Sequence, residues 1–181
     1  RRVSYFGVQN EKTQHLLLSA GVAQDKIEIL GDLRFNRVLA AKEQAQTNPI
    51  IAKFTQGADL LILGSSWPQE ETLLLTVISQ LKSKILIAPH DLSRTHLQQL
   101  KLKFPKALFY SELQEGEMPE AQVLILDTIG HLSAAYQYGS IAFVGGGFSG
   151  SLHNILEPAA YGLPLLFGPK HQKFPEAQAF L

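Results

Sequence analysis

The sequence predicts an α/β fold, a Rossmann-like, doubly wound parallel sheet with helices on both faces. Two observations carry this prediction. Short continuous apolar runs recur at 60–63 (LLIL), 85–88 (ILIA), 123–126 (VLIL) and 141–144 (IAFV), and the stretches between them have helical apolar spacing and helix-capping residues. Strands buried on both faces lose the polar alternation of a half-exposed sheet, and intervening helices supply the crossovers that parallel pairing needs.

Residues 3–8 (VSYFGV) form the first expected strand, and Asn10 is placed to cap a helix running to about Ala20, which Gly21 ends. A short strand at 27–30 and a helix over 34–41 follow. Asn48 before Pro49 opens another helix: asparagine accepts from free N–H groups, and proline suits the first turn. The strand at 60–63 leads to a helix over about 70–81, and the strand at 85–88 to a helix over 93–103. Residues 108–110 form a short strand. Residues 114–120, polar and containing Gly116 and Pro119, form a loop. The strand at 123–126 precedes a helix over 130–138. The strand at 141–144 runs into a glycine-rich turn and a helix that opens with Asn154 and Glu157. A last strand at 165–167 precedes a loop at 168–173. No internal repeat is present. The expected boundary lies near 31–36, so that 1–30 ends a preceding domain or linker region and 31–181 forms the main domain. The chain has no starting methionine and stops at Ala179-Phe180-Leu181 inside a helical pattern. It is expected to be a segment of a larger protein, cut before the final helices of its domain.

Lys plus Arg equals Asp plus Glu at 16 each, and zero net charge argues against non-specific nucleic-acid binding, though not against a local basic pocket. The absence of cysteine excludes disulfides and thiolate metal sites. No apolar run reaches the ~18 residues of a membrane-spanning helix, and Arg1-Arg2 leads into a strand rather than a signal peptide. The Gly-x-x-x-x-Gly-Lys-Ser/Thr loop, a Gly-x-Gly-x-x-Gly opening after the first strand, a His-Glu-x-x-His helix and a Gly-x-Ser-x-Gly elbow are all missing. No cluster of acidic metal ligands stands out, so neither metal nor cofactor is expected.

In an open parallel sheet, ligands bind beyond the carboxyl ends of the strands. Here those ends carry Gly64-Ser65-Ser66-Trp67, Pro89-His90-Asp91, Asp127-Thr128-Ile129-Gly130, Gly145-Gly146-Gly147 and Gly168-Pro169-Lys170-His171. Five such loops on one rim would build one pocket. The glycines let backbone approach a ligand, the following helix N-terminus attracts phosphate, and Glu157 is suited to accept from sugar hydroxyls. Each feature also has a purely structural reading. Asn154 and Glu157 have capping-box spacing, and Gly145, Gly146 and Gly147 suit a tight turn. Ser65 and Ser66 are placed to cap the next helix, Glu70 and Glu71 complement its N-terminus, and Trp67 fits either core or rim. His90, His131, Arg94 and Lys170 fit a solvated surface as well as a ligand.

Taken in order, Gly31-Asp32-Leu33-Arg34-Phe35-Asn36, Gly64-Ser65-Ser66 with Glu70-Glu71, Pro89-His90 with Arg94, Asp127-Thr128-Ile129-Gly130, Phe143-Val144-Gly145-Gly146, His153-Asn154-Ile155-Leu156-Glu157-Pro158-Ala159-Ala160 and Gly168-Pro169 resemble the C-terminal half of the 3-deoxy-D-manno-octulosonic acid (Kdo) transferases. The resemblance runs from about residue 5 to the end, and its most specific part is the His-Asn-x-x-Glu-Pro-Ala-Ala segment. It implies a glycosyltransferase of the two-domain GT-B type, moving Kdo from CMP-Kdo to a lipid A precursor at the cytoplasmic face of the bacterial inner membrane. The implied donor contacts are Pro89 and His90; Ile129, Gly130 and His131; and Asn154, Ile155, Leu156 and Glu157. Ser65, Ser66, Arg94, Gly145, Gly146 and Gly147 would support them. The general base, the acceptor surface and the membrane-docking face are implied to lie in an N-terminal domain outside this sequence, so that the chain alone would be inactive. Four positions depart from the family pattern: His90 for the usual Arg, Trp67 for His, Asp32 for Asn and Lys173 for Asn. A UDP-sugar-dependent GT-B transferase or epimerase, and a non-catalytic module binding a sugar phosphate or a protein, are the alternative readings.

Overall fold

The computed structural model describes residues 3–114, 116 and 118–181; Arg1 and Arg2, and Glu115 and Glu117 of the loop expected at 114–120, lie outside the described residues. The chain divides into two compact units, Arg1–Ala40 and Ala41–Leu181.

The first unit is a small βαβ arrangement. Strand β1 (Phe6–Val8) pairs in parallel with β2 (Ile27–Ile29), placing Phe6 opposite Ile27 and Val8 opposite Ile29. The strand expected from residue 3 shortens to these three positions because only they have a partner. Helix α1 (Glu11–Ser19) connects the strands, and the Asn10 side chain accepts from the Thr13 amide as the cap requires. Helix α2 (Leu33–Glu43) follows. The buried apolar side chains of this unit are Val8, Ile27 and Val38.

The second unit carries a six-stranded, all-parallel sheet. Its strands are β3 (Leu60–Ser66), β4 (Lys84–Pro89), β5 (Leu108–Phe109), β6 (Val123–Ile125), β7 (Ile141–Val144) and β8 (Leu165–Phe167), in the spatial order β5-β6-β4-β3-β7-β8. Its helices are α3 (Pro49–Thr55), α4 (Pro68–Val77), α5 (Arg94–Lys103), α6 (Leu132–Ala135), α7 (Leu156–Ala160) and α8 (Pro175–Phe180). The period of two along each strand splits the apolar runs between two layers. Leu60, Ile62, Leu86, Leu124 and Ala142 pack with Ile51 and Phe54 of α3 and with Tyr136. Leu63, Ile85, Ile87, Val123 and Ile125 pack with Leu74 of α4 and Leu100 of α5. Each fully buried Leu, Ile or Phe contributes roughly 1.5–3 kcal/mol, so the doubly wound sheet follows from the strand sequences.

Three helices differ from expectation. The one expected over 70–81 begins at Pro68, which suits a first turn, and yields to a 3₁₀ turn at Ile78–Gln80. The one expected over 130–138 starts at Leu132 and tightens into a 3₁₀ turn at Tyr136–Tyr138. The helix expected to open at Asn154 is α7, whose cap position is Ile155.

From β3 the chain winds outward through β4 to β5 and β6, then returns through α6 to β7 and β8 on the other side of β3. The direction of winding therefore reverses between β3 and β7. The crevice beyond their carboxyl ends is the topological switch point, where open α/β sheets bind ligands.

Candidate functional site

At the end of β3 the pairing with β4 shifts register between Gly64 and Ser66, and Ser65 adopts a left-handed φ of 51°. Non-glycine residues are uncommon there. The kink brings Ser66 opposite Pro89, where its carbonyl accepts from the His90 amide at 2.9 Å. The neighbouring β7 turn lies directly against it. A Cβ on Gly145 would stand 2.1 Å from the Ser65 carbonyl oxygen, so only glycine fits.

A buried carboxylate joins the two loops. Glu70, only 1% exposed, accepts from the Gly146 amide at 2.8 Å and from the Trp67 amide at 3.2 Å. Its neighbour Glu71, fully buried, takes His96 Nε2 at 2.8 Å, Ser66 Oγ at 3.2 Å and Lys103 Nζ at 3.1 Å. Both glutamates therefore do more than complement a helix terminus. Ser66 points to Glu71 instead of capping α4. The Gly145 amide bonds the Gly64 carbonyl, so two of the three glycine amides serve the turn itself. Among the described residues the amides of Gly147 and Asn154 have no hydrogen-bond partner.

Three rings meet over this turn. Trp67 stacks on His90 with centroids 4.5 Å apart, His90 lies 4.4 Å from His153, and Trp67 Nε1 donates to His153 Nε2 at 3.0 Å. Burial, and then the charge of His90, hold the His153 pKa below the usual histidine value. Asp91 braces the His90 loop through the Ser93 amide and hydroxyl, both at 2.8 Å, which lower its own pKa.

Next along the turn, Asn154 Oδ1 accepts from the Leu156 amide at 3.1 Å and Asn154 Nδ2 donates to Glu157 Oε1 at 3.0 Å. This replaces the expected capping box: the glutamate meets the asparagine side chain, not its backbone. Glu157 Oε2 keeps its acceptor capacity. Tyr136 and Tyr161 lie in the field of Glu157, and their phenol pKa values are raised by burial first and by that carboxylate second.

The remaining predicted residues divide. Pro89 is buried at the end of β4, and the Ile155 and Leu156 side chains are buried, so only their backbone is free to face a ligand. Ile129 is 87% exposed and Gly130 has φ 93°. His131 packs on the Tyr110 ring at 4.9 Å. Among the described residues no hydrogen bond or ring contact joins 129–131 to the Trp67–His90–His153 group. Arg94 is exposed in the first turn of α5. A cleft of about 680 Å³ lies at the opposite end of the sheet, beside Lys84 and Val123, the first residues of β4 and β6. Two of its four lysines, Lys84 and Lys103, are already engaged, by the Ala121 carbonyl and by Glu71.

No protein-family model matches the chain. The chain is 30% identical over 175 residues to a 3-deoxy-D-manno-octulosonic acid transferase of Chlamydophila psittaci, a match covering 94% of this chain and 40% of that protein. Among solved structures it resembles the C-terminal CMP-Kdo binding domain of WaaA from Acinetobacter baumannii, with a TM-score of 0.58 and 22% identity over 82% of this chain and 77% of that one. It also resembles the UDP-GlcNAc 2-epimerase of Methanocaldococcus jannaschii, with a TM-score of 0.56 and 16% identity over 94% and 48%. At these identities the structural likenesses establish the fold, a Rossmann-like domain of the GT-B kind. By its sequence the chain is similar to 3-deoxy-D-manno-octulosonic acid transferases, spanning about two fifths of the length of the relatives it matches.

Proposed function

We propose that this chain is the donor-binding half of an enzyme that transfers Kdo from CMP-Kdo to a lipid A precursor in lipopolysaccharide biosynthesis. The observation that supports it most is the convergence, at the β3/β7 switch point, of His90 with the His153–Glu157 turn. On this reading Glu157 accepts a ribose hydroxyl through Oε2, while Asn154 holds its other oxygen. The free amides of Gly147 and Asn154 face the donor phosphate. Helix α7, five residues long, adds little dipole, so local N–H groups carry that contact. Pro89, Ile129, Gly130 and His131 complete the donor site from the other strand ends.

In the transfer, the bond between the anomeric carbon and the phosphate oxygen breaks and CMP leaves with the electron pair, its charge stabilised by these N–H groups. The acceptor hydroxyl oxygen bonds to the anomeric carbon, and its proton passes to a glutamate base in the N-terminal domain. The full-length enzyme works at the cytoplasmic face of the inner membrane. Among the described residues no helix is long and apolar enough to cross a membrane. The reading assigns no metal or cofactor, so EDTA should leave donor binding unchanged.

An NMR titration with CMP and UMP tests the proposal. We expect millimolar or tighter binding of CMP, corresponding to about 4 kcal/mol or more, with UMP weaker. Glu157→Ala should weaken CMP at least tenfold, and the 181-residue chain should transfer no Kdo. A preference for UMP would favour a UDP-sugar enzyme, and transfer by the chain alone would show that it holds its own base.

A further inference from the structure

The Trp67–His153 hydrogen bond constrains the chemistry of the rim. An indole N–H only donates, so His153 Nε2 must accept, which requires an imidazole that is neutral and carries its proton on Nδ1. Nδ1 has no partner among the described residues, yet it is not among the buried unpartnered atoms and so is open to solvent. The ring sits between the glycine turn and Asn154, with the His90 ring packed on it at 4.4 Å and tilted by 32°.

We propose that His153 is a binding residue whose Nδ1–H donates to an oxyanion of the bound donor, and that Trp67 is the positioning residue that holds it in this one neutral tautomer. The proposal rests on the donor-site reading above. The groups facing His153 are His90 from the β4 loop and, from the β3 loop, Trp67, whose own amide bonds the Glu70 carboxylate. Partial burial first, and the neighbouring His90 second, disfavour charging His153, in keeping with a neutral donor. The acceptor is either the phosphate or the carboxylate of the sugar acid, which share one chemistry.

The two nitrogens can be mimicked separately. The asparagine amide nitrogen lies two bonds from Cβ, as Nδ1 does; the glutamine amide nitrogen lies three bonds away, as Nε2 does. CMP and CMP-Kdo binding would be measured at pH 7.5 for the wild type and for His153→Asn, His153→Gln and His153→Ala. The expected result is that His153→Asn binds within about threefold of wild type, whereas His153→Gln and His153→Ala lose tenfold or more. A loss seen with CMP alone assigns the phosphate; a loss confined to CMP-Kdo assigns the carboxylate. Nitrogen-15 NMR of the unliganded protein should show Nδ1 protonated, and Trp67→Phe, which keeps an aromatic ring but removes the N–H, should shift it toward a mixture of tautomers. Equal binding by all three His153 variants, or a proton on Nε2 in the wild type, overturns the proposal while leaving the donor-site reading intact. If UMP replaces CMP as the preferred ligand with the same variant pattern, the cytidine reading fails and this proposal stands. If no nucleotide binds the wild type, both fall.

Discussion

Glu70 shows how a single side chain organises this rim. Its two oxygens take the amides of Gly146 and Trp67, one from each side of the switch point, and at 1% exposure no water replaces it readily. Glu70→Ala should therefore leave two N–H groups unsatisfied and cost about 2–5 kcal/mol, measured as a lowered urea midpoint with unchanged m-value. His153 makes a second prediction at this scale. Its folded-state pKa is depressed by burial and by His90, whereas in the unfolded chain it titrates near the ordinary value of about 6.5. Between those two values the unfolded chain holds the extra proton. The associated stability is thus fully present above about pH 6.5 and is lost as pH falls through the folded value. Wild type should lose more of its urea midpoint between pH 7 and pH 5 than His153→Asn does; equal losses would refute this. That Glu70 lies at the start of a helix was legible in the sequence, which offered Ser65 and Ser66 as its cap; the bond from the Trp67 amide was not. The second partner, Gly146, stands 76 positions away, and no local pattern announces it.

Among the elements, α4 and α5 are joined through Glu71, which binds His96 and Lys103 of α5 and Ser66 of β3 while fully buried. Removing one member of a buried charge group leaves the others uncompensated, at a cost of about 3–5 kcal/mol. Glu71→Ala should show that loss in chemical denaturation, whereas Leu102→Ala on α5, 83% exposed, should stay within about 0.5 kcal/mol. The strands and most helices were legible because apolar runs and capping residues are local signals: Asn10, Asn48 and Ser93 each accept from the helix they precede. For the helix after the glycine turn the start near Ile155 was legible but the cap was not. The Asn154–Glu157 spacing fits a capping box, but the chain turns once more, and the two side chains bond to each other.

Across the whole molecule, the two units differ in how much they bury. The six-stranded sheet has apolar layers on both faces, whereas the β1–β2 pair belongs to a unit whose buried apolar side chains are Val8, Ile27 and Val38. Two-stranded sheets are marginal in water, so the amides of β1 and β2 should exchange at least tenfold faster than those of β3 and β4 in hydrogen-exchange experiments. Equal protection would contradict this. By itself the sequence determined the alternation of strands and helices, the parallel doubly wound class, the glycine turn after β7 and the ordered motifs that carry the resemblance to the transferases, because each depends on residues close together in the chain. Only the tertiary structure decided which loops meet. The return of the chain to β7 beside β3 sets the switch point and brings Trp67, His90 and His153 into one stack. It also turns two glutamates from helix-end charges into the buried supports of the rim, through contacts between segments that sequence separation conceals.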